Sequence, residues 1–281
     1  MNLELKTSNN NKEMILENML EQNIIFSLEF NKEGSYRLDD NILDSNLKYF
    51  CNGFIKDQNL YLESLVFDSS KNKNKKVLII FSEGFEEYAN DLQKRYPNQI
   101  YFYLDKDNYE NAIKEIFNVQ NSIDKNLKIS KLAKNIKIDH SPRIRNDISR
   151  IYFLLDYDFG KTVVPLVRNY AFKIDSYSSS EIFHDASGVK KLVDFENLFT
   201  PLSDQLIKQM QQKKNIKSIR NELEKLLIKD FLLIEQVYQN NQFDKNILLN
   251  TSNQKIRNNN KCVNRRFSIY KISSKNFSSL P

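Results

Sequence analysis

A chain of 281 residues, 40% hydrophobic and 28% charged, has room for one large α/β domain or two small ones. Its five prolines and five glycines exclude collagen-like, mucin-like and fully disordered classes. The formal net charge is +6, yet the first 250 residues hold 35 bases against 36 acids; residues 251–281 hold seven Lys or Arg and no acid. The basicity therefore belongs to a tail, and the 36 asparagines make any single Asn weak evidence.

No run of about 18 apolar residues occurs, and Met1 to Lys12 is polar without the apolar core of a secretion signal, so no membrane partner is expected. Cys51 and Cys262 could pair, but two cysteines in so long a chain read more readily as reduced thiols of a cytoplasmic protein.

In chain order, residues 13–65 alternate apolar and polar positions. Ile24, Phe26 and Leu28, then Tyr36 and Leu38, Leu47 to Phe50, and Phe54 to Leu62 are separated by turn-prone Glu33-Gly34 and Asn52-Gly53. This pattern predicts a small antiparallel β region over residues 1–70. Lys71 to Lys76 is a polar spacer. Val77 to Phe81 then reads as a buried strand, Ser82-Glu83-Gly84 as its turn, Phe85 to Tyr96 as an amphipathic helix, Ile100 to Leu104 as a second strand and Asn108 to Val119 as a second helix.

Strand, helix, strand, helix at this spacing predicts a doubly wound, mostly parallel Rossmann-like sheet over residues 71–281. Ile136 to Ile138, Ile151 to Leu155, Thr162 to Val167 and Tyr170 to Ile174 are further strand candidates, and Ser176 to Ser180 reads as a polar turn. A helical period runs from Leu202 to Tyr238, divided at Lys213-Lys214-Asn215, and Phe267 to Ile272 forms a last strand returning antiparallel to the sheet edge. The helices either cover a sheet face or offer an apolar stripe to a partner, a homo-oligomer included.

Ligands of doubly wound sheets bind outside the carboxyl ends of the strands. Three acidic sets fall there: Glu83 beside Gly84, Asp105 with Asp107, and Asp156 with Asp158. No G-x-G-x-x-G and no P-loop is present, which argues against a dinucleotide along the first turn and against Walker-type hydrolysis. His140 and His184, the two histidines, lack metal-ligand spacing, and Ser178-Ser179-Ser180 lacks a nucleophile elbow.

The strand, single-glycine turn, helix and second strand ending at Asp105 resemble the first two units of the class I S-adenosylmethionine-dependent transferase fold. With Asn59-Leu60-Tyr61-Leu62-Glu63 ahead of them and Asp156-Tyr157-Asp158-Phe159-Gly160 after, they resemble the aminopropyltransferases, the spermidine synthase family, in divergent form. The family's histidine is replaced by Leu62 and its glycine-rich turn is reduced to Gly84.

The resemblance implies aminopropyl transfer from decarboxylated S-adenosylmethionine, or use of S-adenosylmethionine itself, with a small amine such as putrescine as acceptor. Asp156 would be the base, Asp158 would hold the distal ammonium and Tyr61 would orient the acceptor. Glu63 would bind an ammonium, and Glu83, Gly84 and Asp105 would hold the donor. Two alternatives stand beside it: a catalytically degenerate binding or accessory protein, supported by the lost glycines and histidine, and a nucleic-acid-binding or nucleic-acid-modifying protein using Lys255, Arg257, Lys261, Arg265 and Arg266.

Overall fold

A computed structural model describes residues 2–6, 13–17, 27–29, 36–37, 43, 47, 49–68, 75–132, 144–212, 218–239, 248–252, 262–273 and 277–279. Near the amino end, Asn2–Lys6 (β1) pairs in parallel with both Ser27–Glu29 (β2) and Tyr36–Arg37 (β3). The antiparallel expectation is corrected for a simple reason. Glu33-Gly34 joins two strands that never pair with each other, because β1 lies between them, and the long segment 7–26 permits a parallel return. The expected strand residues Ile24, Phe26 and Leu38 lie outside the described residues.

The stretch Phe54 to Leu62 is not a strand. Phe54–Val66 (α1) is a helix. Ile55, Leu62 and Val66 are buried with Gln58 and Glu63, a helical spacing in which polar residues share the inner face and so disguise the period.

Among the described residues the main sheet has seven strands. Lys76–Phe81 (β4) carries no polar side chain from Val77 to Phe81, and such a run is stable only when both faces are covered. It pairs in parallel with Ile100–Tyr103 (β5) on one side and Ile148–Leu154 (β6) on the other. Asp175–Tyr177 (β7) and Leu198–Leu202 (β8) continue in parallel; Ser268–Ile272 (β9) returns antiparallel and Phe277–Ser279 (β10) pairs antiparallel beyond it.

Helices Glu86–Arg95 (α2), Tyr109–Ile116 (α3), Gln120–Leu132 (α4) and Tyr157–Ala171 (α5) connect the parallel strands; Asp204–Gln212 (α6) and Ile219–Gln239 (α7) follow β8. The architecture is a mixed, mostly parallel α/β sheet with flanking helices.

Its two faces are built from alternate residues of the same strands. Val77, Ile79, Tyr152 and Leu154 meet Leu62 and Val66 of α1 and Ala89 and Leu92 of α2. On the other face, Leu78, Ile80, Ile151 and Phe153 share a core with Ile113 of α3, Val163 and Val167 of α5, and Leu223 and Leu227 of α7. Two further strand expectations fail inside α5. Thr162 to Val167 is β-branched and reads as a strand by propensity, but Val163, Val164, Val167 and Ala171 are buried at helical spacing and Asp156 caps the helix by accepting from the Phe159 amide at 2.7 Å. The segment from Tyr170 to Ile174 is the end of that helix and its exit turn, and the expected turn at Ser176 is occupied by β7. Ile136 to Ile138 and Lys213 to Asn215 lie outside the described residues.

The order along the sheet is β10-β9-β8-β7-β6-β4-β5. Counting the parallel strands from β4, the second is at the edge and the third lies on the far side of the first, the 2-1-3-4-5 order of flavodoxin-like sheets. A Rossmann sheet places the third strand outside the second, in the order 3-2-1-4-5. The expected S-adenosylmethionine-transferase architecture is corrected on this point. Adjacent parallel strands β4 and β5 are common to both orders, so the local motif does not separate them.

The carboxyl-terminal residues are not simply a solvated basic tail. Cys262 is joined to Cys51 by a disulfide, Phe50 bridges Val263, and the Arg265 side chain has no exposure at all. Its Nη1 donates to Asp57 Oδ2 and to the Asn52 carbonyl, each at 2.9 Å, while its guanidinium stacks 3.8 Å from the centre of the Phe50 ring. One of the five basic residues named for nucleic acid is thereby withdrawn from any phosphate. Lys255, Arg257 and Lys261 lie outside the described residues. The reading of Cys51 and Cys262 as reduced cytoplasmic thiols is corrected as well, since such a bond persists in oxidising compartments.

Candidate functional site

On the sheet face packed against α1 and α2, the two helices flank a cleft of about 510 Å³, with Glu181 also on its lining. Lys56, Asn59, Leu60 and Glu63 of α1 line one wall, at the i, i+3, i+4, i+7 spacing of a single helical stripe. Phe85, Tyr88, Asp91 and Arg95, from the start and length of α2, line the other.

Glu63, Arg95, Tyr88 and Asn59 of this cleft form a connected network with Tyr152 beneath them. Glu63 is 4% exposed. Its Oε1 accepts from Arg95 Nη2 at 3.1 Å and from the Tyr88 hydroxyl at 2.9 Å, and its Oε2 is bound to Arg95 Nη1. The Tyr88 hydroxyl lies 3.5 Å from that of Tyr152, which donates to Asn59 Oδ1 at 3.2 Å. Burial, with the neighbouring Tyr152 and Glu63, pushes the Tyr88 phenol far above its ordinary range; burial does the same to Tyr152. Both phenols are therefore donors and not bases. Burial also raises Tyr101, to about 12.

Under α1 a second polar group is sealed from solvent. Gln58 Nε2 donates to the Pro201 carbonyl at 2.7 Å, which turns Gln58 Oε1 toward Ser180. That oxygen accepts from the Ser180 amide at 3.0 Å and from Ser180 Oγ at 2.8 Å. Ser180 Oγ is also 2.9 Å from His184 Nε2. With the hydroxyl proton committed to Gln58, the Nε2 of His184 must supply its own proton to Oγ. This is the reverse of the polarity a nucleophilic serine requires. Burial, aided by Arg220, depresses His184 to about 3, so the imidazole is neutral at physiological pH.

The sequence-predicted site residues fall at two places, the α1–α2 cleft and the carboxyl ends of the adjacent strands β4, β5 and β6. Glu63 and Gly84 line the same cleft, but Glu63 is held by Arg95 and Tyr88. The Gly84 amide, at positive φ, donates to Glu86 Oε2 at 2.7 Å, so the helix's own carboxylate occupies a donor that a cofactor anion would have met. Glu83 is exposed. Asp105 accepts from the Asp107 amide at 3.2 Å in an exposed turn. Asp156 spends one oxygen on its helix cap and the other on Lys106 Nζ at 3.3 Å. Asp158 is 86% exposed and paired with Lys161 at 2.8 Å. Tyr61, two residues from Glu63 on the same helix, points elsewhere and packs edge-on to Phe267. His140 lies outside the described residues, and those residues contain no cluster of metal-ligating side chains.

Lys56, Tyr88, Arg95 and Tyr152 were not legible as site residues. The available signal was Tyr88 and Arg95 at i, i+7 on a helix whose apolar positions, Ala89 and Leu92, lie between them.

No family model and no curated protein matches this chain. Solved structures do. Full-length LpoA from Haemophilus influenzae has a TM-score of 0.46 at 9% identity, over 99% of this chain and 48% of LpoA. The LpoA C-domain, described as a regulator of PBP1A, has a TM-score of 0.42 at 8% identity, over 100% and 82% of the two chains. A leucine binding protein, LivK, from Thermotoga maritima has a TM-score of 0.41 at 9% identity, over 80% and 64%. The chain thus spans about half the length of full-length LpoA.

The aminopropyltransferase expectation is corrected. The strand order differs from the Rossmann order, and Glu63, Asp156 and Asp158 are each paired with a neighbouring cation. With it go the S-adenosyl donors, the putrescine-like amine acceptor and the cytoplasmic placement. Among the described residues no helix is long and apolar enough to cross a membrane.

Proposed function

We propose that this chain is a non-catalytic binding protein of an oxidising compartment and that the α1–α2 cleft is its ligand site. One observation carries the reading: the cleft is open and of ligand size, while its buried floor is a closed network in which Glu63, Tyr88, Tyr152 and Asn59 are already bonded to one another or to Arg95. Such a floor is pre-organised for recognition, its Glu63 carboxylate being held by Arg95 and Tyr88. The disulfide supports the compartment.

Thermal denaturation against a panel of amino acids, short peptides and organic anions tests the role. A ligand at about 100 times its Kd stabilises the folded state by about 2.7 kcal/mol. Leu60, 45% exposed on the cleft wall, can become tryptophan without repacking the core. The Leu60→Trp protein should keep its unliganded melting temperature and lose the ligand-induced shift. A shift that survives the substitution, or turnover of the bound compound, would overturn the reading.

A further inference from the structure

We propose that the open edge of the main sheet, strand β5, docks a second copy of this chain, the two β5 strands pairing antiparallel about a twofold axis at Phe102. β5 ends the strand order and pairs only with β4 among the described residues. The Leu104 amide donates to the Phe81 carbonyl at 2.8 Å, which fixes the phase of that parallel ladder. Successive residues of a strand direct their backbone groups to opposite sides. Ile100 and Phe102 therefore turn theirs toward β4, while Tyr101 and Tyr103 turn N–H and C=O outward, where no partner meets them among the described residues. Native sheets commonly blunt such an edge with a charge, a proline or a bulge. Ile100–Tyr103 has no charge and no proline, its register with β4 is unbroken, and Tyr103 is 48% exposed.

Self-complementarity selects the occupant. With Tyr101 opposite Tyr103 of the second copy, and Tyr103 opposite its Tyr101, every outward donor finds an outward acceptor, and Phe102 faces itself across the axis. The alternative registers are poorer. Setting Tyr101 against itself brings Tyr103 to Gln99, whose amide already donates to the Tyr96 carbonyl at 3.3 Å. Setting Tyr103 against itself brings Tyr101 to Asp105, beyond the end of the strand. Tyr101 packs on the α2 side of the sheet and Phe102 on the opposite side. An axis normal to the sheet thus places tyrosine pairs on one face and a phenylalanine pair on the other, and aromatic cross-strand pairs are favourable. Charge agrees with this direction. Exposed Lys94 lies just before β5, whereas Glu83, Glu86 and Asp105 surround Tyr103 at its far end, where Lys106 is paired with Asp156. Antiparallel docking turns the Lys94 end of each copy toward the acidic end of the other. So short a strand makes the association weak and concentration-dependent.

Sedimentation equilibrium of the full chain from about 1 μM to about 1 mM tests this. The average mass should climb from monomer to dimer and no further. Tyr103→Pro removes an outward amide without touching the ladder to β4, and Tyr103→Lys puts a charge on the edge. Each change acts twice in a twofold dimer, so each should weaken association about tenfold or more. The dilute Tyr103→Lys monomer should keep its melting temperature, which separates lost docking from lost folding. Cys51 and Cys262 are bonded to each other, so an introduced cysteine is the single free thiol. Phe102→Cys should oxidise to a covalent dimer, since residues facing each other in a non-hydrogen-bonded pair have Cα atoms about 4.5 Å apart. Tyr103→Cys faces Tyr101 and should cross-link far more slowly. A monomer at every concentration, a dimer indifferent to both Tyr103 substitutions, or equal cross-linking at positions 102 and 103 would each overturn the proposal.

Discussion

Replacing Asp57 by alanine should be among the most damaging single changes on α1. In the native protein Asp57 Oδ2 meets the Arg265 Nη1 at 2.9 Å, with the two side chains 5% and 0% exposed, and Oδ1 accepts from Asn52 at 2.9 Å. Arg265 Nε and Nη2 have no hydrogen-bond partner among the described residues, so after loss of Asp57 the cation would keep the Asn52 carbonyl, the faces of Phe50 and Phe54 and the more distant charge of Asp230, with no ion-pair partner in contact. Removing one member of a buried pair costs about 3–5 kcal/mol, because the other is left charged and dry. For a chain of this size that is a fall of roughly 6–10 °C in Tm, measurable by calorimetry or urea denaturation. The double variant Asp57→Leu with Arg265→Met should be much less damaged than the sum of the singles, since neither charge remains to be desolvated. A cost below about 1 kcal/mol for Asp57→Ala, or strict additivity, would show that Arg265 does not lie beneath α1 and would refute the docking of the carboxyl-terminal segment.

The remaining expectations concern other joints of the fold. The Cys51–Cys262 bond closes a separation of 211 residues, so reduction, or Cys262→Ala, should lower stability by up to about 5 kcal/mol, read as the difference in urea midpoint with and without reductant. Gly160 lies in α5 where an added Cβ would be 2.8 Å from Ile182 Cγ1 and 3.1 Å from Phe195; Gly160→Ala should cost about 1–3 kcal/mol by overpacking, and an unchanged melt would refute that contact. His184, neutral until about pH 3 when folded and titrating near 6.5 when unfolded, makes the unfolded state the better proton binder between those values. Stability from this group is therefore complete above about pH 6.5 and falls by about 1.4 kcal/mol per unit on acidification toward pH 3. His184→Gln should flatten the acid limb of the stability curve by that slope, and parallel curves for the two proteins would contradict a buried neutral imidazole.

The residues themselves settle the centre of this fold. Five consecutive apolar side chains at Val77 to Phe81 admit little besides a strand covered on both faces, and the apolar period across residues 202–238 matches α6 and α7. Periodicity reports only which side chains are buried, and where burial is mixed it misleads: Asp57, Gln58 and Glu63 sit inside α1 because Arg265, Ser180 and Arg95 arrive from distant segments to satisfy them. For the same reason a chain cannot announce from its order of residues that β6 will insert beside β4, that Cys262 will reach Cys51, or that Tyr88 and Tyr152 will share a cleft floor. Local sequence sets the torsions and the apolar stripes; which stripes meet is a property of the whole core, because the free energy of burying a polar group depends on the partner that long-range packing brings to it.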